Sequence, residues 1–306
     1  MRRLTVTCSV LLLALLISSC GQDEPAKKVL LGRRGETEET AGSIPDPNAL
    51  RFGFDMRLDP KEDVAIYLPF LRYLEQHTGL KFALDFTAKY QDTVENLGKG
   101  ITSFAALGPV NCVLARKRYG AGCLVSGLNA KGASQYKAVI ITRMDSPLYD
   151  ITDLKGRSFA FGNRFSTQGH VIPRKMLEDV GIRLNNLSRF TFTGSHTNTA
   201  WAVLSGEYDA GGLQDSLAWR LAAEGSVRVL AVSKPYPSSL ICYNLKVPAS
   251  QVEMVKKALL AFDPMGRDAS GLKDWDKTEM AYGFAPCNGE SLTEIEKLAK
   301  RYGVIN

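Results

Sequence analysis

The chain has 306 residues, 45% of them hydrophobic, and a formal charge of +6 from 38 basic against 32 acidic side chains. That apolar share is ordinary for a globular protein, and past the N-terminus no apolar run is long enough to span a membrane. The basic excess is mild and scattered. Short groups such as Arg116-Lys117-Arg118 read as solvated helix ends, which excludes a nucleic-acid-binding stripe.

Arg2 and Arg3 precede the apolar run of residues 10–17 and the small residues Ser18 and Ser19. This is the pattern of a secretory signal, too short and wrongly flanked to cross a membrane as a stable helix. The tetrad Ile17-Ser18-Ser19-Cys20 resembles the lipobox of bacterial lipoproteins. The resemblance implies a signal peptide over residues 1–20 and acylation of Cys20. The chain would then be exported and lipid-anchored to a bacterial membrane, facing the periplasm or the cell exterior. Two or three acyl chains hold lastingly where one holds marginally. Residues 21–49 are polar, mixed in charge and poor in aromatics, and are expected to form a flexible tether.

Residues 50–54 alternate like a short strand, and apolar spacing predicts a helix over residues 64–77, stopped by Gly79. A strand over 81–86, a helix over 90–99, a strand over 103–107 and a helix over 110–119 follow. Residues 136–143 form a long β-rich run. The alternation then restarts, with strands at 158–162, 189–192, 208–213 and 227–232 and helices opening near 169, 196 and 216. A strand at 240–243 and helices at 251–261 and 292–302 complete the chain. Strands alternating with helices predict an α/β protein with parallel strands. We read two lobes, 50–138 with 236–306, and 139–235, with the ligand site at the carboxyl ends of strands in the cleft between them.

Three turns share one construction: strand, small or hydroxyl residues, helix start. They are Leu107-Gly108-Pro109, Phe165-Ser166-Thr167-Gln168-Gly169 and Thr193-Gly194-Ser195-His196. A helix N-terminus presents unpaired N–H groups and about half a positive charge. Hydroxyls add neutral donors. Together such turns make an oxyanion site, although Ser166, Thr167 and Ser195 also suit plain N-capping. No cofactor or metal is expected: there is no CxxC, and the three histidines are scattered at 77, 170 and 196. No GxSxG and no paired carboxylates at useful spacing occur, so an enzyme is not expected. With Cys8 in the signal and Cys20 in the anchor, four cysteines remain, and sequence alone leaves three pairings open. Cys242–Cys287 is the expected bridge, both lying in the returning part of the first lobe. Cys112 with Cys123, or buried free thiols, are the alternatives.

The stretches FAALGPVNCVLAR, SQYKAVIITRMDS, DLKGRSFAFGNRFSTQGHVIPRKML, FTGSHTNTAWAVLSGEYDAG and AVSKPYPSS resemble, in order, the periplasmic phosphonate-, phosphite- and phosphate-binding proteins of ABC importers. The resemblance implies a two-lobed, type II periplasmic-binding-protein-like fold, each lobe a mixed sheet flanked by helices, joined by two crossing strands. It implies a monomer that delivers a small oxyanion to a permease and ATPase. It assigns Ser166 and Thr167 to the phosphoryl oxygens, His196 as a further donor, Tyr136 as a closing residue on the crossing strand, and Asp215, which equally suits capping the helix at Ser216, as an acidic wall. Gly108, Gln168 and Ser195 complete the expected ligand set. Three positions depart from the family pattern. Ala106 replaces an aromatic and is expected to enlarge the pocket, Gln168 replaces a small hydroxyl residue, and Pro237-Ser238-Ser239 lacks a carboxylate for a ligand ammonium. These departures also leave room for a sensory or interaction lipoprotein that reports a ligand to a membrane kinase or envelope partner.

Overall fold

The computed structural model describes Asp46, residues 48–86 and residues 90–305. The expected signal peptide, Cys20 and most of the expected tether lie outside the described residues.

β1 (Leu50–Phe54) leads into α1 (Pro60–Thr78), which starts earlier than its apolar pattern predicts. Asp59 accepts a hydrogen bond from the Lys61 amide, and Pro60 presets the first turn. The helix ends at Gly79, where φ is 69°. Its inner face packs on β1 and on Phe262 and Trp275, with the Phe70 ring stacked on Trp275 at 4.6 Å between centroids. β2 (Phe82–Asp85), α2 (Tyr90–Lys99), β3 (Phe104–Leu107) and α3 (Pro109–Tyr119) keep the expected alternation. β4 (Gly122–Gly127) is a strand that the residue pattern hides, because glycine stands at both of its ends.

The chain crosses through β5 (Gln135–Tyr136) into β6 (Ala138–Arg143). There follow β7 (Ser158–Phe161), a π-helical turn over Thr167–Val171, α4 (Ile172–Asp179), β8 (Arg189–Phe192), α5 (His196–Leu204), β9 (Ala210–Gln214), α6 (Asp215–Ala223) and β10 (Val227–Val232). The return passes through β11 (Tyr236–Pro237) to β12 (Leu240–Tyr243), α7 (Ala249–Ala261), β13 (Phe284–Pro286) and α8 (Thr293–Arg301). The two crossings pair antiparallel, Tyr236 opposite Tyr136.

One sheet has the order β13-β4-β12-β3-β1-β2, the other β10-β6-β9-β7-β8. The expected parallel pairing holds for β1 with β2 and β3, and for β7 with β8 and β9. The remaining strands make each sheet mixed. β12 re-enters the first sheet antiparallel to β3 and β4, and β6 lies antiparallel to β9 and β10. In each sheet a central strand, β1 or β7, has the next two parallel strands on opposite sides. The connection leaving that strand runs to one side, β1 to β2 and β7 to β8, and the connection leaving its other neighbour runs to the opposite side, β3 to β4 and β9 to β10, which opens a crevice at their carboxyl ends.

The expected Cys242–Cys287 bridge is corrected. Cys287 is bonded to Cys123, with Cα atoms 6.0 Å apart. β13 lies along the outer side of β4 and brings Cys287 to Cys123. Cys242, on the inner neighbour β12, instead meets Cys112 of α3, and both of these thiols are free and buried.

Candidate ligand-binding site

All three predicted turns reach one buried cavity or its edge. The cavity measures about 20 Å³, room for about one water. At the start of α3, Gly108 N–H donates to Asp55 Oδ2 at 2.8 Å. A Cβ on Gly108 would meet Asp55 Oδ2 at 3.6 Å and Thr167 Oγ1 at 3.7 Å, ordinary contacts, so glycine there serves space rather than backbone strain. The second turn is different. Ser166 caps the π-helical turn, its Oγ accepting from Gly169 N–H at 2.9 Å. A Cβ on Gly169 would lie 3.0 Å from Gly162 Cα and 3.1 Å from His196 Cε1, so a side chain there would push the loop and the end of β7 apart by a few tenths of an ångström. Thr167 Oγ1 accepts from Val110 N–H of α3 at 3.0 Å and is hydrogen-bonded to the buried Tyr136 hydroxyl.

His196 opens α5. Its N–H donates to the Arg57 carbonyl at 3.1 Å, and its Nδ1 accepts from Gln214 N–H at 3.3 Å. The neutral ring therefore carries its proton on Nε2. Burial, reinforced by the Arg57 charge, lowers its pKa to about 3, so His196 is an uncharged donor at physiological pH.

Ser166, Thr167, Gln168, His196, Tyr136 and Gly108 line the cavity, whereas Asp215 and Ser195 stand back from it. Asp215 accepts from Lys137 N–H, Ser216 N–H and Gln168 Nε2, tying the crossing strand to α6. Ser195 caps α5 through Asn198 N–H. Gln168 Nε2 also donates to Lys137 O at 2.8 Å. Ala106 faces the aromatic core beside Phe54 and Ile241, so the expected enlargement of the pocket does not occur.

Ser239 of the Pro237-Ser238-Ser239 stretch also lines the cavity, and three further cavity residues escape motif reading: Asp55, Arg57 and Glu279. Arg57 Nε lies 2.8 Å from Glu279 Oε2, with the two side chains 7% and 2% exposed. Its Nη1 donates to Tyr67 Oη at 3.2 Å and its Nη2 to Ser239 Oγ at 3.1 Å. Burial raises the Glu279 pKa against the pull of Arg57. Burial also raises Asp55 to about 6, against Arg57 and hydrogen bonds from Gly108 and Asn111. Behind them Asp63 accepts from the Arg57 and Leu58 amides, and burial raises it to about 7. The expected lack of a carboxylate therefore holds only for residues 237–239. The cavity itself presents two carboxyl groups against one guanidinium.

A model of the family described as ABC transporter, phosphonate, periplasmic substrate-binding protein matches residues 52–290. The chain belongs to this family. Family members are transport proteins rather than enzymes. The chain is 27% identical over 186 residues to the probable ABC transporter phosphite binding protein PhnD1 of Prochlorococcus marinus, covering 56% of each chain. It is 28% identical over 216 residues to the phosphate-import protein PhnD of Mycolicibacterium smegmatis, covering 67% of this chain and 63% of that one. The chain thus spans less than two thirds of the length of these curated relatives. The solved structure of PhnD1 from Prochlorococcus marinus in complex with methylphosphonate shares the fold. Its TM-score is 0.76 at 16% identity, over 85% of this chain and 100% of that one. The expected two-lobed, type II architecture is borne out.

Proposed function

We propose that the chain is the substrate-binding component of an ABC importer. It captures a small phosphonate-, phosphite- or phosphate-like oxyanion between a lobe of residues 50–138 with 236–306 and a lobe of residues 139–235, and hands it to a permease and its ATPase. The observation that carries this reading is the convergence of hydroxyl, imidazole, amide side-chain and guanidinium groups from both sheets on one cavity: Ser166, Thr167, Tyr136, Ser239, His196, Gln168 and Arg57. The donor set is neutral apart from Arg57, which suits an anion desolvated between two lobes. His196 N–H and Thr167 Oγ1 now bond protein partners across the cleft, and a phosphoryl group needs more room than one water. Capture therefore goes with parting of the lobes about the β5–β11 ribbon and reclosure on the ligand.

Asp55 and Glu279 bring aminoalkylphosphonates back into the set to be tested. A thermal-shift and calorimetric panel of phosphate, phosphite, methylphosphonate and an aminoalkylphosphonate tests the reading. At least one member is expected to stabilise the protein, and no stabilisation by any of them would overturn it.

The Ile17-Ser18-Ser19-Cys20 tetrad supports export with a lipid anchor on Cys20, and so attachment to a membrane. Metabolic labelling with a radioactive fatty acid is expected to mark the wild type. Cys20→Ser should abolish that label.

A further inference from the structure

Four sulfurs lie together at the junction of α3, β12, β4 and the C-terminal segment. Cys112 and Cys242 are buried free thiols with Sγ atoms 2.8 Å apart. The Sγ atoms of Cys112, Cys123 and Cys242 all lie within 4.8 Å of one another. Cys242 is the register partner of Cys123 across β12 and β4, and Cys123 carries the bridge to Cys287. That outer bridge lines a surface pocket shared with Arg116 and Gly289, whereas the two thiols are buried. The family is periplasmic, and that compartment oxidises thiols.

We propose that Cys112 and Cys242 form a second disulfide, made by exchange through Cys123. The Cys242 thiolate attacks Cys123 Sγ. The Cys123–Cys287 bond breaks, its electron pair leaves with Cys287, and Cys287 takes up the proton that Cys242 gave. The Cys112 thiolate then attacks Cys242 Sγ. The Cys123–Cys242 bond breaks, and Cys123 leaves with the electron pair and takes up the proton from Cys112. Two electrons and two protons have moved from the inner pair to the outer pair, and no outside reagent has entered the core. A small disulfide such as oxidised glutathione then restores Cys123–Cys287 from the pocket side and is reduced to two thiols. Burial holds the Cys242 thiol well above its ordinary pKa, which slows the first attack and makes the exchange faster in alkaline buffer.

The test uses the full exported chain, incubated folded with excess oxidised glutathione, then unfolded in alkylating reagent without reductant and mapped by peptide mass. Wild type is expected to yield a linked Cys112–Cys242 peptide and no alkylated cysteine from either pair. Cys112→Ser should halt the sequence midway, giving a Cys123–Cys242 peptide with Cys287 carried as a mixed disulfide with glutathione. Cys123→Ser should slow linkage of Cys112 to Cys242 by about tenfold or more. Two results would overturn the proposal: Cys112 and Cys242 still fully alkylated in wild type after prolonged oxidation, or linkage in Cys123→Ser at the wild-type rate. If Cys123→Ser does not fold, the Cys112→Ser peptide decides alone, and absence of the Cys123–Cys242 link overturns the exchange.

Discussion

Replacing Arg57 by methionine keeps the apolar stem of the side chain and removes its charge. Glu279, 2% exposed, then keeps a carboxyl group with its counter-charge gone, and the Tyr67 and Ser239 hydroxyls lose donors. Breaking a buried ion pair from one side costs about 3–5 kcal/mol. Removing both partners leaves no uncompensated charge, so Arg57→Met/Glu279→Met should be at least about 2 kcal/mol more stable than Arg57→Met. The loss should also depend on pH. A carboxyl whose folded-state pKa is raised binds its proton before the unfolded chain does, so its destabilising effect shrinks as pH falls. Without Arg57 the Glu279 pKa rises further, and Arg57→Met should be closer to wild type at pH of about 5 than at about 8. Urea denaturation of wild type, both single variants and the double variant at the two pH values measures all of this. A double variant as unstable as the sum of the singles, at both pH values, would refute mutual neutralisation as the role of the pair.

The buried acids and histidines pull stability in opposite directions with pH. Asp55 and Asp63, raised to about 6 and about 7, lose stability as pH climbs from about 4 through those values. His170 and His196, lowered to about 4 and about 3, lose it as pH falls from about 6.5 through those values. Asp63→Asn removes one acid, so the slope of unfolding free energy against pH between about 4.5 and 6 should rise by about 1.4 kcal/mol per unit over wild type. An unchanged slope in urea titrations would count against burial as the cause. Gly108→Ala meets only ordinary contacts and should melt within a few degrees of wild type, while its methyl group fills cavity space and weakens phosphoryl binding by ~tenfold or more in calorimetry. Equal affinity would move the ligand away from α3. Gly169→Ala should destabilise by about 1–3 kcal/mol, read by chemical denaturation, because Gly162 Cα stands 3.0 Å from the added atom.

Periodicity in the residues carried most of the fold, because each helix face and buried strand repeats its apolar positions locally. β10 and β12 fall on their expected residues, and α5 and α6 differ by at most a residue at an end. β13 escaped because it is short and β4 because glycine stands at both of its ends, and both draw their strand character from neighbours distant in sequence. The helix starts at Gly108, Ser166 and His196 were legible as local capping patterns. Arg57 and Glu279 were not, since each lies in irregular chain and acquires its role only where the other arrives. One signal was available: Asp55 and Arg57 directly follow the buried strand β1, and charge at the carboxyl end of a central strand belongs to the crevice. The bridge is illegible in the sequence for the same reason. Strand order decides which cysteine meets Cys287, and residue spacing does not encode it.

The Cys123–Cys287 bridge spans 164 residues, and the whole second sheet lies inside that span. In the chain-entropy account, closing so long a loop restricts the unfolded chain by about 5 kcal/mol. One lobe is thus an arc of a covalent ring whose clasp sits in the other. A single protease cut anywhere in that arc leaves both fragments joined until a reductant is added. The clasp also cannot fasten until Cys287 has left the translocation channel. Both alternative pairings, Cys123 with Cys242 and Cys112 with Cys242, enclose the same arc. Exchange among the sulfurs would move the clasp while the ring stays shut.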